Sequence, residues 1–174
     1  MKNILKLGVF LMIVAAIAAG ALSLTYIYTK PKIEAQNIRE INLALKEVLP
    51  EAGTFEEKTK NKIKYYLGKD GKKSVGLVVT SSSKGYAGPI DMLVGIDLQG
   101  RVTGVKILKI TETPGLGLNA TNPKFLDQFK GKTSEDKLRA KLDIQAITGA
   151  TITSQAVSNG VKEALEKFYK LGIF

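Results

Sequence analysis

The feature that most constrains the fold is an uncharged stretch near the N-terminus. Residues Leu7 to Thr29 form a run of 23 residues without a charged side chain, and the part up to Leu24 is almost wholly apolar. As an α-helix this run would extend over about 34 Å, which is enough to cross a bilayer with slight tilt. Tyr26 and Tyr28 stand at its far end, where membrane helices often carry aromatic residues. We therefore predict that residues 1–30 form one transmembrane anchor.

A cleaved signal peptide is the alternative interpretation of the same stretch. Lys2 and Lys6 precede the apolar run, and small residues at positions 18–21 could serve as a cleavage site. The apolar run is longer than the hydrophobic region of an ordinary signal peptide, which favours an uncleaved anchor. With Lys30 and Lys32 on the other side of the span, the charge rule leans only weakly towards a cytoplasmic N-terminus.

Composition excludes several classes of chemistry. The 174 residues include no Cys, His or Trp, so a cysteine-ligated zinc or iron–sulfur site, a Ser-His-Asp triad and a thiol nucleophile are all excluded. We predict no metal site. An exported hydrolase is a further class, but no nucleophile–base pair supports it.

The chain is basic, with 26 Lys and Arg against 16 Asp and Glu and a formal charge of +10. Such an excess indicates nucleic acid, an anionic membrane surface or an acidic partner. No nucleic-acid recognition motif and no interleaved aromatic residues accompany the charge, so nucleic acid ranks last. Proximity to anionic lipid head groups explains the charge better.

Beyond the anchor, the pattern predicts an α+β domain. Residues 31–53 should form a linking amphipathic helix with apolar positions at Ile38, Ile41, Leu45 and Val48. Residues 54–174 should form the domain itself, a curved antiparallel sheet flanked by helices. Its strands are predicted at Ile63–Leu67, Val75–Thr80, Ile90–Leu98, Val102–Ile110 and, more briefly, Leu142–Ile147.

The connections between these elements are predicted from turn residues and charge. The Lys- and Glu-rich stretch from Thr54 to Lys64 is predicted to be a solvated connection. Residues 68–71 and Gln99-Gly100 are predicted turns, the latter closing a tight hairpin. Residues 81–89, rich in Ser, Gly and Pro, are predicted to be a flexible loop. A short helix should begin at Asn122.

Two segments stand out as candidate binding elements. In the first, Thr151 stands just before a predicted helix, Ser154 to Leu171, that Thr153 or Ser154 would cap. The N-terminus of a helix favours a phosphate group, and Gly149 permits close approach of a ligand. The alternative is a capped strand-to-helix turn that binds nothing.

The second segment is the loop that follows the strand Val102–Ile110. It runs from Glu112 to Gly117 and contains the turn pair Pro114-Gly115. Glycines there would let the backbone and its N–H groups approach a flat ligand. The alternative is an ordinary turn at the end of a strand.

These segments carry a resemblance to a known family. The string Thr148-Gly149-Ala150-Thr151 resembles the flavinylation motif, Ser/Thr-Gly-Ala-Thr, of the FMN-binding domain family. The segment from Glu112 to Gly117 is similar to that family's Glu-Thr-Pro-Gly-Leu-Gly loop, and the string beginning Gly85-Tyr86 is also familiar from it. The wider string 146–154 is similar to the G subunits of Rnf-type ion-translocating electron-transfer complexes. The C subunits of sodium-pumping NADH:quinone reductases come second. This chain has Gln145 where the family often has an acidic residue, and Ile110 where it often has His.

The resemblance implies a membrane-anchored electron carrier with covalent FMN. FMN would be joined to Thr151 by a phosphoester bond, made by a separate flavin transferase from FAD with Mg²⁺. The other implied cofactor-binding residues are Glu112, Thr113, Pro114, Gly115, Leu116, Gly117, Thr148, Gly149, Ala150, Ile152 and Thr153, with Tyr86 as a possible rim.

The resemblance also implies a place for the chain in the cell. It would be a single-pass protein of the cytoplasmic (inner) membrane, with its C-terminal domain on the outer face and other membrane proteins of an Rnf-type complex as partners. As part of an ion-translocating oxidoreductase, it would have no independent catalytic activity. The alternative from a different class is a tethered flavin- or ligand-binding sensory module without an electron-transfer role.

Overall fold

The computed structural model describes residues 2–173, and the chain divides into two compact units, Met1–Glu40 and Ile41–Phe174. Helix α1 (Lys2–Val48) has 47 residues and continues through Pro31 without a break. Among the described residues, α1 is the one helix that is long and apolar enough to cross a membrane. Its apolar side chains up to Tyr28 are exposed, as expected of a helix that meets lipid or other membrane helices rather than a soluble core.

The second unit contains a five-stranded antiparallel sheet in which neighbours in sequence are neighbours in space. The strands are β1 (Thr54–Lys60), β2 (Ile63–Asp70), β3 (Lys73–Lys84), β4 (Pro89–Asp97) and β5 (Val102–Lys109). Two further α-helices follow, α2 (Pro123–Leu126) and α3 (Thr151–Leu171), with short 3₁₀ turns at Gly117–Thr121 and Asp127–Phe129. The predicted α+β class is confirmed.

Helix α3 covers one face of the sheet. The apolar stripe on this helix is buried, as shown by Val157, Val161, Leu165 and Phe168, each at most 8% exposed. It packs in one cluster with alternate residues of β3 and β4, because successive side chains of a strand point to opposite faces of the sheet. Polar contacts add to this packing, since the Ser81 hydroxyl donates to the carbonyl oxygen of Gly160 at 2.8 Å.

The residues from Ala44 to Ala52 cover the opposite face. They lie over two cross-strand glycine pairs, Gly68 with Gly76 and Gly95 with Gly104. A Cβ atom at Gly95 would collide with the carbonyl oxygen of Val48, and one at Gly68 would lie 2.5 Å from Leu49 Cδ2. We call the surface of these four glycines the glycine trough. Because both faces of the central strands are covered, their sequences contain long apolar runs.

The predicted connection from Thr54 to Lys64 is wrong, because most of it is the edge strand β1. Apolar alternation is missing from β1 since nearly all its side chains are exposed. Its charges match those of β2 instead: Lys64 lies 3.0 Å from Glu57, and Lys69 pairs with Glu56. Charged edge strands of this kind resist pairing with other chains.

Two predicted loops are shorter than expected. Residues 81–84 continue β3 and pair with β4, so that only Gly85 to Gly88 remain between the strands. These serines lie in a strand because the hydroxyls of Ser81 and Ser83 donate to carbonyl oxygens of α3. The strand propensity of the local sequence does not include such a distant contact. Residues 68–70 belong to β2, and the turn is Gly71-Lys72. The Gln99-Gly100 hairpin turn is confirmed.

The predicted strand Leu142–Ile147 is also wrong. A tight turn stands there, with one isolated bridge between Ala140 and Ile144. The carboxylate of Asp143 accepts hydrogen bonds from the N–H groups of Leu138 and Arg139, which folds the segment back on itself. The short helix after Asn122 is confirmed, and the side chain of Asn122 caps it by accepting from the Lys124 N–H group.

Candidate functional site

Both candidate segments line one cleft of about 560 Å³ at the N-terminal end of α3. The cleft lies beside the end of β5, so that two loops far apart in sequence face each other across it. Its lining consists of Tyr86, Glu112, Thr113, Leu116, Gly117, Gly149, Ala150, Thr151, Ile152 and Thr153. This volume falls within the range of roughly 300–1,000 Å³ that is usual for small-molecule sites.

Helix α3 begins at Thr151, three residues earlier than predicted, with Ala150 as its N-cap. The expected hydroxyl cap by Thr153 or Ser154 is therefore wrong, and no side chain among residues 2–173 caps this end. The Ser154 hydroxyl is used within the turn: it donates to the Ala150 carbonyl and accepts from the Ile147 N–H group. The N–H groups of the first helical turn have no acceptor within the helix, so they remain available to a ligand in the cleft.

Thr151 thus lies in the first turn of a 21-residue helix, half-buried, where the helix dipole favours negative charge. The turn before it depends on Gly149, whose φ of +75° is rarely adopted by other residues. A Cβ atom at Gly149 would also lie 3.0 Å from Leu116 Cδ2, on the facing loop. The turn therefore combines an accessible hydroxyl with helix N–H groups, which is suitable for a phosphate.

The facing loop, which begins at Glu112, is ordered by hydrogen bonds to its own backbone carbonyl groups. The carbonyl oxygen of Thr113 accepts from the N–H groups of Leu116 and Leu118, each at 3.2 Å. The side-chain amide of Asn119 donates to the carbonyl oxygen of Gly115 at 2.9 Å, and Gly115 has a φ of +77°. A loop held in this way is preformed before any ligand enters.

The two segments are joined by Glu112, which is only 8% exposed. Its Oε2 atom accepts from the Thr153 hydroxyl at 3.0 Å, across 41 positions of sequence. Its Oε1 atom accepts from the Ala87 N–H group at 3.1 Å. The carboxylate thus connects the β3–β4 turn, the loop after β5 and the first turn of α3.

Large apolar side chains stand at the open edge of the cleft. Tyr86, Leu116 and Ile152 are 71%, 45% and 57% exposed, although each lines the same cleft. Flat aromatic ligands pack well against such side chains. With the N–H groups and the hydroxyl of Thr151 at the inner end, the cleft fits a molecule that has a ring system and a phosphate group.

Not every predicted site residue lines this cleft. Thr148 lies outside it, in an adjoining open cleft of about 700 Å³ that shares Gly149 and Thr151 with it. Pro114 and Gly115 belong to the preformed loop without lining the cleft. The other predicted residues, including Tyr86, are brought together.

Some supporting roles were not predicted from the sequence. Gly85 is buried, and a Cβ atom there would collide with Glu112 Oε1. Ala87 supplies an N–H donor to the same oxygen. Asn119 and Ser154 order the two loops. The string beginning Gly85-Tyr86 was a sequence signal for Gly85 and Ala87. The side-chain hydrogen bonds that Asn119 and Ser154 make to nearby backbone atoms leave no such signal.

The comparison with family models defines the class of protein. Residues 85–166 match the model of the FMN-binding domain. This range includes every residue that lines the cleft. Residues 1–48 match a second model, the RnfG N-terminal region, which covers helix α1. Residues 85–166 therefore form a region of the FMN-binding domain class, in a chain with an N-terminal apolar helix.

Comparison with whole chains identifies the family. The chain is 37% identical to the G subunit of the Na⁺-translocating ferredoxin:NAD⁺ oxidoreductase complex of Acetobacterium woodii, over 98% of this chain and 94% of that one. It is 37% identical to the proton-translocating counterpart of Clostridium ljungdahlii, over 90% and 87%. It is 35% identical to the G subunit of the ion-translocating oxidoreductase complex of Methanosarcina acetivorans, over 95% and 94%. This chain belongs to the family of G subunits of ion-translocating oxidoreductase complexes, which confirms the predicted resemblance.

Solved structures support the fold. The C subunit of the Na⁺-translocating NADH-quinone reductase of Parabacteroides distasonis superposes with a TM-score of 0.53 at 20% identity, over 64% of this chain and 63% of that one. NqrC of Shewanella oneidensis gives a TM-score of 0.52 at 22% identity, over 70% and 71%. At this level of identity the likeness extends to the fold.

Proposed function

We propose that this chain is a membrane-anchored electron carrier whose FMN is joined by a phosphoester bond to the hydroxyl of Thr151. The observation that carries the proposal is the position of Thr151. It lies in the uncapped first turn of α3, in a cleft that also contains the loop from Glu112 to Gly117. An ester at this hydroxyl would hold a phosphate beside helix N–H groups and the positive end of the helix dipole.

The bond would be made by a separate flavin transferase that uses FAD and Mg²⁺. The Thr151 oxygen would form a new bond to the phosphorus of the FMN half while the bond from that phosphorus to AMP breaks. AMP leaves, and the hydroxyl proton passes to a base of the transferase. The structure suits such a reaction, because Thr151 lies in the first turn of α3 and is shared by two adjoining open clefts.

Within the cleft, each part of the chain has a separate task. The first turn of α3 would hold the phosphate group, and the loop around Leu116 with Ile152 and Tyr86 would pack on the ring system. Bound FMN supplies reversible acceptance of electrons, which is chemistry that no side chain in this sequence provides. The protein therefore contributes attachment, orientation and the electrostatic surroundings.

The family also supports a place in a complex. Its members are named as subunits of ferredoxin:NAD⁺ oxidoreductase complexes that translocate sodium ions or protons. We propose that other membrane subunits of such a complex exchange electrons with this chain. Helix α1 would anchor it in the cytoplasmic membrane with the FMN-binding domain on the outer face, where a covalent bond prevents loss of the cofactor. In this proposal residues 1–30 are the anchor, 31–53 a link and 54–174 the domain.

The test is intact-protein mass spectrometry with peptide mapping on the full chain, produced together with a flavin transferase. Wild type should gain the mass of FMN less one water, on the peptide that contains Thr151. Thr151→Ala should lose the addition, and Thr151→Ser should keep it because the hydroxyl remains.

Thr59→Ala is the control, since Thr59 is an exposed threonine on the edge strand β1, outside both candidate segments. It should retain the added mass on the peptide that contains Thr151. Covalent flavin on Thr151→Ala would contradict the attachment. A covalent flavin that no other protein of the complex reduces would favour the tethered ligand-binding module instead.

A further inference from the structure

Among residues 2–173, Glu112 is the only charged side chain that is buried. Carboxylates are seldom buried without a cation, because the loss of hydration is costly. The described residues nevertheless give Glu112 no ion pair, and its partners are one backbone N–H group and one hydroxyl. An acidic side chain therefore lies in the wall of the cleft with no basic partner among residues 2–173.

The packing around this carboxylate is specific to its shape. A Cβ atom at Gly117 would lie 2.7 Å from Glu112 Oε2 and 2.9 Å from the Thr153 hydroxyl oxygen. A Cβ atom at Gly85 would collide with Glu112 Oε1. Two glycines on different segments thus leave the space that the carboxylate fills, so the side chain is built into the site.

The direction of the hydrogen bonds bears on the charge. Oε1 accepts from the Ala87 N–H group and Oε2 accepts from the Thr153 hydroxyl, so that each oxygen already receives a proton donor. An ionised carboxylate, which only accepts hydrogen bonds, satisfies both donors at once. This arrangement uses the charged form of Glu112.

We propose that Glu112 is a positioning residue that holds the three segments of the cleft together and whose charge makes a flavin in that cleft harder to reduce. The second half of this inference rests on the proposed function. Every electron that a bound flavin takes from a redox partner adds negative charge to the cleft. A buried, unneutralised carboxylate opposes this addition more strongly than an exposed one, because little water screens it.

The charge is tested with Glu112→Gln, which keeps the size of the side chain. Its amide oxygen can accept from the Ala87 N–H group while its NH₂ group donates to the Thr153 hydroxyl oxygen. FMN-loaded full-length chain in detergent is titrated with dithionite and mediator dyes, and the midpoint potential is read from the flavin absorbance. Glu112→Gln should shift the potential to a more positive value. Thr153→Val, which removes one hydrogen bond but keeps the carboxylate, should give a smaller shift. A midpoint potential unchanged or lowered by Glu112→Gln would overturn this half of the proposal.

Positioning is tested without flavin, by amide hydrogen exchange on the full chain produced without a transferase. Glu112→Ala removes the acceptor of the Ala87 N–H group, so that amide should exchange at least about tenfold faster. Thr59→Ala, at an exposed position of β1, is the control and should leave the Ala87 amide unchanged. An unchanged Ala87 amide in Glu112→Ala would show that Glu112 does not hold this turn.

A variant that loses the whole fold is recognised by fast exchange throughout the sheet. In that case Glu112→Asp replaces it, since its shorter side chain keeps a carboxylate but cannot reach both donors, and Ala87 should again exchange faster. The two proposals fail separately. A wild-type chain that never takes up FMN would contradict the proposed function, whereas the exchange at Ala87 would still decide whether Glu112 positions the cleft.

Discussion

At the scale of single residues, the segment before the cleft shows how one carboxylate can hold an unfavourable backbone. Leu138 and Lys141 adopt φ values of 49° and 69°, in a region that side chains other than glycine seldom occupy. The Asp143 carboxylate accepts from the N–H groups of Leu138 and Arg139 at 2.8 and 2.7 Å. Partial burial would raise the pKa of Asp143, but the N–H donors outweigh it and lower that pKa below its ordinary value.

This lowered pKa leads to a prediction about pH. When the pKa of an acidic group is lower in the folded protein than in the unfolded chain, its ionised form stabilises the fold at pH values above the unfolded pKa. This stabilisation is lost as the pH falls through the pKa of the folded state. Asp143→Asn should therefore reduce the free energy of unfolding by about 1–3 kcal/mol at pH 7. The difference from wild type should shrink below about pH 4.

Thermal unfolding of the full chain in detergent at pH 7 and at pH 3.5 would measure this effect. The control is Asp127→Asn, which loses only an exposed ion pair with Lys130 and should cost less than about 1 kcal/mol. An Asp143→Asn deficit of the same size at both pH values would argue against the assignment.

At the scale of elements, the glycine trough determines how the C-terminal turn of α1 meets the sheet. The carbonyl oxygen of Val48 reaches Gly95 and accepts a hydrogen bond from the Thr103 hydroxyl, while Val48 Cα lies over Gly104. The contact is between two backbones, so neither side can move aside as a long side chain would. Close backbone approach of this kind requires glycine.

Gly95→Ala is therefore expected to destabilise the domain. The added methyl group would collide with a backbone carbonyl, and overpacking of this type costs about 1–3 kcal/mol. Gly53→Ala is the matched control, because a Cβ atom there would lie 3.8 Å from its nearest neighbour. Its free energy of unfolding should stay within about 0.5 kcal/mol of wild type. Equal stability of the two variants, measured by thermal unfolding, would show that the trough can relax.

At the scale of the whole molecule, the absence of cysteine offers a direct test of membrane topology. Lys72 lies exposed in the β2–β3 turn, and Lys2 lies at the other end of the chain, before the apolar stretch. If the FMN-binding domain is on the outer face, Lys72→Cys in intact cells should react with a membrane-impermeant maleimide. Lys2→Cys should react only after the cells are permeabilised. The opposite labelling pattern would reverse the proposed orientation.

Much of this protein follows from the sequence alone because the signals are local. The uncharged run that ends at Thr29 is long enough for a membrane-spanning helix. Its length and lack of charge are properties of the segment itself and need no contact with the rest of the chain. Helix α3 and the strands β3 to β5 were predictable, since burial gives a helix an apolar period of 3.6 and gives strands short alternating or continuous apolar runs. The motif from Thr148 to Thr151 and the loop from Glu112 to Gly117 identified the family for the same reason.

Tertiary structure decided the features that depend on a distant partner. The charged strand β1 and the serines at the end of β3 contradict local propensity, and they form strands because β2 and α3 supply their hydrogen bonds. The start of α3 at Thr151, without a hydroxyl cap, depends on Ser154 being used within the preceding turn. From the sequence, Glu112 is only one residue of a predicted loop. Its burial and its hydrogen bond with the Thr153 hydroxyl form only when the sheet and α3 pack together.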